Sequence, residues 1–462
     1  MMFRDLPRHA EYSSTSSPWL PVIPAHWKTA RTKSLLSERV DKGYPDEPLL
    51  AATQSHGVIR KSEYGTRTVT ASKDLHLLKL VEVGDFVISL RSFQGGIERC
   101  HHRGIISPAY TVLTANSDGY RDYLTYLFKS KPFVDSLTLA VTGIREGQNI
   151  DYSKLSVEIL PVPPLEEQAT IVKYLDYANA RIETAIAAKR RLIALIEEQN
   201  QQSVHELITC GVDSLDLRDV DLPWVDSIPR RWAVAPVKRL FSSMAYGTSE
   251  SSTGEGPITA VGMGEIQNGR VRVIRRGGLA EVPKGLDLRP DDLLFNRTNS
   301  ADLVGKVGRV LGDCENLTFA SYLVRCRVAS DVDAEWATYL LNDIAFLAYA
   351  RSQALVSLHQ ANLSSSRFGA LHVIVPPYVE QREVAAAIAK INAESISVVS
   401  RMTQELALLH EFRARLVADV VTGQVDVRAI AATLPDAPDV FDELDTILDD
   451  EFEEALSESL GE

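Results

Sequence analysis

Two short polar stretches carry side chains able to read the edges of nucleic-acid bases. Arg91, Ser92 and Gln94 follow the apolar run Phe86-Val87-Ile88, and Arg297, Asn299 and Lys306 follow Leu293-Leu294-Phe295. A guanidinium can donate two parallel hydrogen bonds to guanine, and Gln or Asn can pair with adenine. A lysine on a phosphate only positions. The competing use of Arg91 and Arg297 is an ion pair built into the structure at both places. Tyr110 and Tyr322, also at equivalent places, are expected in the core.

Other reactive side chains lack the company that catalysis needs. His101-His102 has no assignable carboxylate or cysteine to activate it. Gly305-Lys306 is followed by Val307, whereas a phosphate-cradling loop requires Ser or Thr there. Pro376-Pro377-Tyr378 is similar to an amine-methylating tetrapeptide, but Val375 stands where Asn or Asp must accept from the target amine, and no glycine-rich cofactor loop follows a strand. Pro45-Asp46 and Pro290-Asp291 each offer a carboxylate for a nuclease metal, yet no later lysine has Asp or Glu two positions before it. Cys100, Cys210, Cys314 and Cys326 have no CxxC spacing and no histidine at ligand spacing, which argues for ordinary buried thiols rather than a zinc site or disulfides. The expected set is therefore no catalytic and no metal-binding residues.

The candidate readers sit at corresponding places in a chain that repeats itself, and repeats govern the fold. Pro18-Trp19-Leu20-Pro21-Val22-Ile23-Pro24-Ala25-His26-Trp27 matches Pro223-Trp224-Val225-Asp226-Ser227-Ile228-Pro229-Arg230-Arg231-Trp232 at an offset of 205, and Pro163-Pro164-Leu165-Glu166-Glu167-Gln168 matches Pro376-Pro377-Tyr378-Val379-Glu380-Gln381 at 213. Each second match opens a stretch with helical spacing. Ile171, Leu175, Ala178, Ile182, Ala185, Lys189, Leu192 and Ile196 step by four and three, as do Val384, Ile388, Ile391, Ser395, Val398, Met402, Glu405 and Leu409. Such a seam predicts two helices paired as a coiled coil, each of about 43 residues and roughly 64 Å. Gly211 and Gly423 are placed to end them. Glu167, Gln168, Glu380 and Gln381 open both helices alike, so they serve either as helix caps or as twin docking sites for a partner.

The fold class expected is α+β: two mixed α/β domains related by pseudo-twofold symmetry, separated by two long antiparallel coiled-coil helices. Residues 1–162 form the first domain, 163–221 the first long helix and linker, 222–375 the second domain, 376–430 the second helix and 431–462 an acidic tail, read as solvated disorder or a docking or DNA-mimicking segment. The net charge of −13 misleads, because twelve Asp/Glu and no Lys/Arg fall in that tail and the rest is nearly neutral. No run of 18 apolar residues occurs, and the start Met1-Met2-Phe3-Arg4 lacks a signal-peptide pattern. The expectation is a cytoplasmic protein without a membrane partner.

Taken jointly, the duplicated Pro-Trp…Ile-Pro…Trp openings, the paired Pro-Pro…Glu-Gln helix starts, Arg297-Thr298-Asn299-Ser300 with Val304-Gly305-Lys306, and the Gly-terminated helices resemble the specificity subunit of a type I restriction-modification enzyme. The resemblance covers about residues 18–428. It implies a non-catalytic subunit whose two domains bind a bipartite, asymmetric double-stranded DNA sequence. Two modification (methyltransferase) subunits would dock on the helical regions and two ATP-dependent restriction subunits would join. S-adenosylmethionine, ATP and Mg belong to those partners, with no cofactor in this chain. A stand-alone bipartite DNA-binding regulator and an antiviral scaffold without sequence preference are the rival readings.

If the helices set the distance between half-sites, inserting four residues in one helix, about 6 Å of rise, lengthens the unread gap by roughly one or two base pairs. A seven-residue insertion, which keeps heptad phase, is better tolerated. Sequencing the methylated sites of such variants checks this; altered half-sites with an unchanged gap would refute it.

Overall fold

The computed structural model describes residues 6–53, 57–63, 74–89, 96–137, 141–142, 149–213, 216–250, 256–274, 277–312, 314–357 and 360–435. Arg91, Ser92, Gln94 and the acidic tail from residue 436 lie outside them. The chain divides into two units, residues 1–189 with 404–462, and residues 190–403.

In the first unit a hairpin of Tyr12–Ser17 and Leu20–Pro24 leads into Lys28–Arg31, which pairs antiparallel with Ile159–Val162 and so ties the two ends of the block together. Between them lies a four-stranded antiparallel sheet in the order Leu36–Arg39, Thr111–Ala115, Phe86–Ile88, Glu98–Arg99. The second unit repeats this plan. Leu217–Leu222 and Val225–Pro229 form the hairpin, and Ala233–Pro236 pairs with His372–Val375. Phe241–Tyr246, Leu323–Val328, Leu293–Asn296 and Val307–Arg309 follow the same sheet order, extended by Arg270–Val271 and Ile266–Gln267. Phe86–Ile88 and Leu293–Asn296 are buried along their whole length. A strand covered on both faces reads as a continuous apolar run, which is why both segments stand out in the sequence.

The turn before each of these central strands is held by a buried carboxylate. Asp85 accepts from the Glu82 N–H at 2.9 Å and from Arg39 Nε at 2.7 Å. Asp292 accepts from the Arg289 N–H at 2.9 Å and from Arg327 Nε at 3.1 Å. Both aspartates are nearly inaccessible, so each charge depends on its arginine.

The long helices run Leu165–Cys210 and Tyr378–Val421. They end at Gly211 (φ +76°) and Gly423 (φ +72°), the left-handed conformation that glycine adopts without strain. Within the first unit Lys189 pairs with Glu405 and Glu183 with Arg413, so one helix ascends as the other descends. Within the second, Asn200 Nδ2 donates to Asn392 Oδ1 at 2.8 Å. The helices are antiparallel, but their seam differs from the predicted one. Ile171, Leu175, Ala178 and Ile182 are buried as expected, and then Ile186 and Ile193 take the place of Ala185 and Leu192. A straight helix repeats every 3.6 residues and drifts off a strict heptad. Ile391, Ser395, Val398 and Met402 are only half-buried, and polar pairs bridge this middle stretch.

Two expected boundaries also move. Leu217–Leu222 is the first strand of the second hairpin, so the repeat opens at Leu217, before residue 222. Residues 431–435 are not part of the tail, because Ala431 and Leu434 are buried and the Asp426 N–H donates to the Pro7 carbonyl at 2.7 Å.

Gly423→Ala should cost more than Gly211→Ala. Both substitutions strain a positive φ, by about 1–2 kcal/mol. At 423 the added methyl group also clashes with the Pro24 ring and meets Trp27 at 3.0 Å, for about 1–3 kcal/mol more, whereas at 211 its nearest neighbour, the Trp232 ring, is 3.1 Å away and needs a smaller adjustment. Urea unfolding midpoints of the two variants check the order.

Candidate nucleic-acid interface

Both long helices are fastened to their blocks by one device built twice. Glu167 accepts from the indole N–H of Trp27 at 3.0 Å and lies 2.7 Å from His26 Nε2. Glu380 accepts from the indole N–H of Trp232 at 2.8 Å and from Arg231 Nε at 2.8 Å. The Arg231 hydrogen bond is the largest influence on the Glu380 carboxyl and, with the Trp232 hydrogen bond, holds it below the usual range against the opposing effect of burial. Gln168 donates to the Pro163 carbonyl at 2.7 Å, and Gln381 to the Pro376 carbonyl at 2.9 Å. Gln381 Oε1 also accepts from the Asp333 N–H at 2.8 Å. Glu167, Gln168 and Gln381 are buried, and Glu380 is mostly so. The side chains of these four residues are engaged by the chain's own His26, Arg231, tryptophans and lead-in carbonyls. The exposed groups at the helix starts are Leu165 and Glu166 in one copy and Tyr378 and Val379 in the other.

The second unit presents a polar and aromatic rim beyond the end of strand Leu293–Asn296. Arg297 is half-buried, donates from Nη1 to the Ser321 carbonyl at 3.1 Å and lies over the Tyr246 ring at 5.1 Å. Among the described residues no carboxylate pairs with it, so the ion pair weighed as its alternative use is not formed there. Asn299 turns Oδ1 back onto the Ser300 N–H at 2.8 Å. Lys306 follows Gly305, whose positive φ lets the loop 297–304 close on Asn296 at 2.9 Å. Its ammonium has no partner among the described residues. Tyr322 is exposed instead of buried, as is Tyr246. Beside them the hairpin Leu355–Ser357 and Gln360–Asn362 pairs with Thr298–Asn299 and exposes Leu355 and Val356. Sequence reasoning missed these aromatic and aliphatic members. Their apolar types read as core, and only their position at strand ends distinguishes them.

In the first unit Arg91, Ser92 and Gln94 lie outside the described residues. The buried Asp85 and Asp292 correspond at an offset of 207, which brings Leu90 rather than Arg91 to the count of Arg297. Several basic side chains of this unit are engaged internally: Arg39 with Asp85, Arg99 with Asp122, Arg103 with Glu47 and Glu82, Lys129 with Glu98. Tyr110 packs half-buried against the core of Val81, Val87, Cys100 and Val112. All four cysteines are free. Burial pushes the Cys100 thiol up to about 11 and that of Cys326 higher still, which makes both poor nucleophiles. Cys210 and Cys314 are half-buried.

No family model matches the chain. It is 21% identical over 313 residues to the type I restriction enzyme StySPI specificity subunit of Salmonella potsdam, covering 66% of this chain and 65% of that protein. It is 19% identical over 310 residues to the type I restriction enzyme EcoKI specificity subunit of Escherichia coli (strain K12), covering 66% of each. The match thus spans a little under two thirds of these relatives. A solved structure concerned with complex assembly and conformational transition of the type I R-M system contains a chain of the same fold, with a TM-score of 0.64 at 16% identity over 86% of this chain and 98% of that one. The chain is similar in sequence to type I specificity subunits and shares its α+β fold with a component of such a system.

Arg297→Ala should destabilise the second unit by about 1–3 kcal/mol, since it leaves the Ser321 carbonyl and the Tyr246 face without their partner. Lys306→Ala should stay within about 0.5 kcal/mol of the parent. Chemical denaturation followed by tryptophan fluorescence compares the two.

Proposed function

We propose that the chain is the DNA-recognition subunit of a type I restriction-modification complex. It binds a bipartite, asymmetric double-stranded DNA target, one half-site to each unit, and scaffolds two modification subunits and two restriction subunits in the cytoplasm. The observation that carries this reading is the duplication itself: one sheet order and one tryptophan–glutamate clamp occur twice, with different side chains on the rims. Two copies of one scaffold with divergent rims suit a target whose halves differ. No helix among the described residues is long and apolar enough to cross a membrane.

On the second rim, Asn299 and Lys306 are the polar groups with capacity to spare, and Tyr246, Tyr322 and Val356 offer apolar contact to base methyl groups. Arg297 acts by holding this rim in shape. In the first unit Arg91, Ser92 and Gln94 remain the proposed readers. The near-neutral body leaves much of the phosphate contact, which dominates affinity, to the partners. The chain itself is non-catalytic, and S-adenosylmethionine, ATP and Mg act in the partner subunits. Docking of the modification subunits falls to the exposed apolar residues of the helices, among them Leu165, Leu195, Tyr378, Val379, Ile396 and Leu408. Such residues in the open are a liability unless a partner covers them.

Affinity purification of the tagged chain from its native host tests the reading. A methyltransferase subunit should co-purify at two per chain; recovery of DNA without one would favour a stand-alone regulator. Leu165→Asp and Tyr378→Asp should each reduce the stoichiometry to one. The chain purified without partners should incorporate no labelled methyl group from S-adenosylmethionine into DNA, and incorporation would contradict the non-catalytic assignment.

A further inference from the structure

The sequence offers no metal-ligand spacing, yet the fold of the first unit assembles a donor set from distant segments. His9, His26 and Glu167 each bring one ligand atom to within 4.8 Å of the others. His26 Nε2 and Glu167 Oε2 are already 2.7 Å apart, and the rings of His9 and His26 lie 5.4 Å apart between centroids. We infer that His9, His26 and Glu167 form a binding site for a divalent transition-metal ion of the zinc type, which fastens the start of the chain to the first long helix.

Four observations carry this inference beyond proximity. The first is chemical: two imidazoles and one carboxylate suit Zn²⁺, whereas Ca²⁺ and Mg²⁺ prefer all-oxygen sets. The second is that the His9 side chain is 2% exposed and its Nδ1 makes no hydrogen bond among the described residues. A buried polar atom without a partner calls for an explanation, and an ion is one.

Third, the surrounding groups hold the donors in place. Asp426 Oδ2 lies 3.8 Å from His9 Nδ1, and Arg428 pairs with that carboxylate at 2.6 Å. An ion held by His9 Nδ1 would lie beside this carboxylate, whose negative charge favours it. Glu167 Oε1 is fixed by the Trp27 indole at 3.0 Å, and Oε2 meets His26 Nε2 at 2.7 Å, where an ion would replace the proton the two now share. Fourth, the second unit serves as an internal comparison. There Arg231 occupies the place of His26 and supplies a fixed positive charge to Glu380 at 2.8 Å. The first unit has a histidine at that place, and a metal ion beside it gives Glu167 the cation that Arg231 gives Glu380. This inference is independent of the DNA-recognition reading.

The test uses the full chain, stripped with chelator and titrated with Zn²⁺ by calorimetry, with Co²⁺ as a spectroscopic probe. One Zn²⁺ should bind per chain, raise the unfolding temperature by several degrees, and be replaceable by Co²⁺ with visible absorption in the range of four-coordinate sites. His26→Arg reproduces the arrangement of the second unit, so it should fold with an unchanged far-ultraviolet spectrum while binding Zn²⁺ at least tenfold more weakly. His9→Gln should also weaken binding at least tenfold. His101→Ala/His102→Ala removes a vicinal pair elsewhere and should bind Zn²⁺ as the parent does. No saturable binding at micromolar Zn²⁺, or parental affinity in folded His26→Arg, would overturn the site.

Discussion

The architecture depends on placing two carboxylates where carboxylates are costly. Glu167 and Glu380 sit at the first turns of the long helices and receive the indole N–H groups of Trp27 and Trp232, which are themselves nearly inaccessible. Removing a charge from water costs several kcal/mol unless the charge is paired and hydrogen-bonded. Each helix start is thereby held to the segment that opens its block, and sliding it by one residue would leave a buried carboxylate and a buried indole without partners. The proline lead-ins and the glutamines beside the clamps tighten the same joint from the other side. With the helices so fixed, the sheet edges and their loops become surfaces on which sequence can vary at little cost to the fold. The strong divergence in sequence of the two blocks between their shared anchors fits that freedom.

The duplication was legible in the sequence because it rests on residues that cannot be exchanged freely: tryptophans with a buried N–H, prolines before a helix, glycines at positive φ. Gly211 and Gly423 end their helices as expected, and Lys189 meets Glu405 from opposite seams. Other features were not legible, for identifiable reasons. Periodicity alone could not say where a heptad gives way to the 3.6-residue repeat, so Ile186 and Ile193 displaced Ala185 and Leu192. The clamps of Glu167 and Glu380 were not legible because a charged side chain at a helix start normally faces water and their tryptophan partners lie 140 and 148 residues away. Tyr322 looked like core because an aromatic residue beside a strand usually is. The closeness of His9, His26 and Glu167 has no signature in spacing at all, since it arises only when the first segment, the opening hairpin and the helix start converge.

The differences between the copies are as informative as their identities. Asp85 draws its arginine from Leu36–Arg39, and Asp292 draws its own from Leu323–Val328, so the same buried turn is neutralised from different strands of its sheet. A scaffold that accepts either solution has its backbone fixed more tightly than its side chains. Arg297 illustrates the consequence: lying over Tyr246 and bonded to the Ser321 carbonyl, it keeps a loop in place whose outward residues are then free to serve recognition.

The central claim, that each unit reads its own half-site, is tested most directly by mapping methylated bases genome-wide in cells that express the chain with its modification partner. The parent should yield one bipartite motif with a fixed unread gap. A chain carrying Asn299→Ala and Tyr322→Ala should yield the same first half and the same gap with a relaxed second half. A motif that changes in both halves together, or that is not bipartite, would contradict the account.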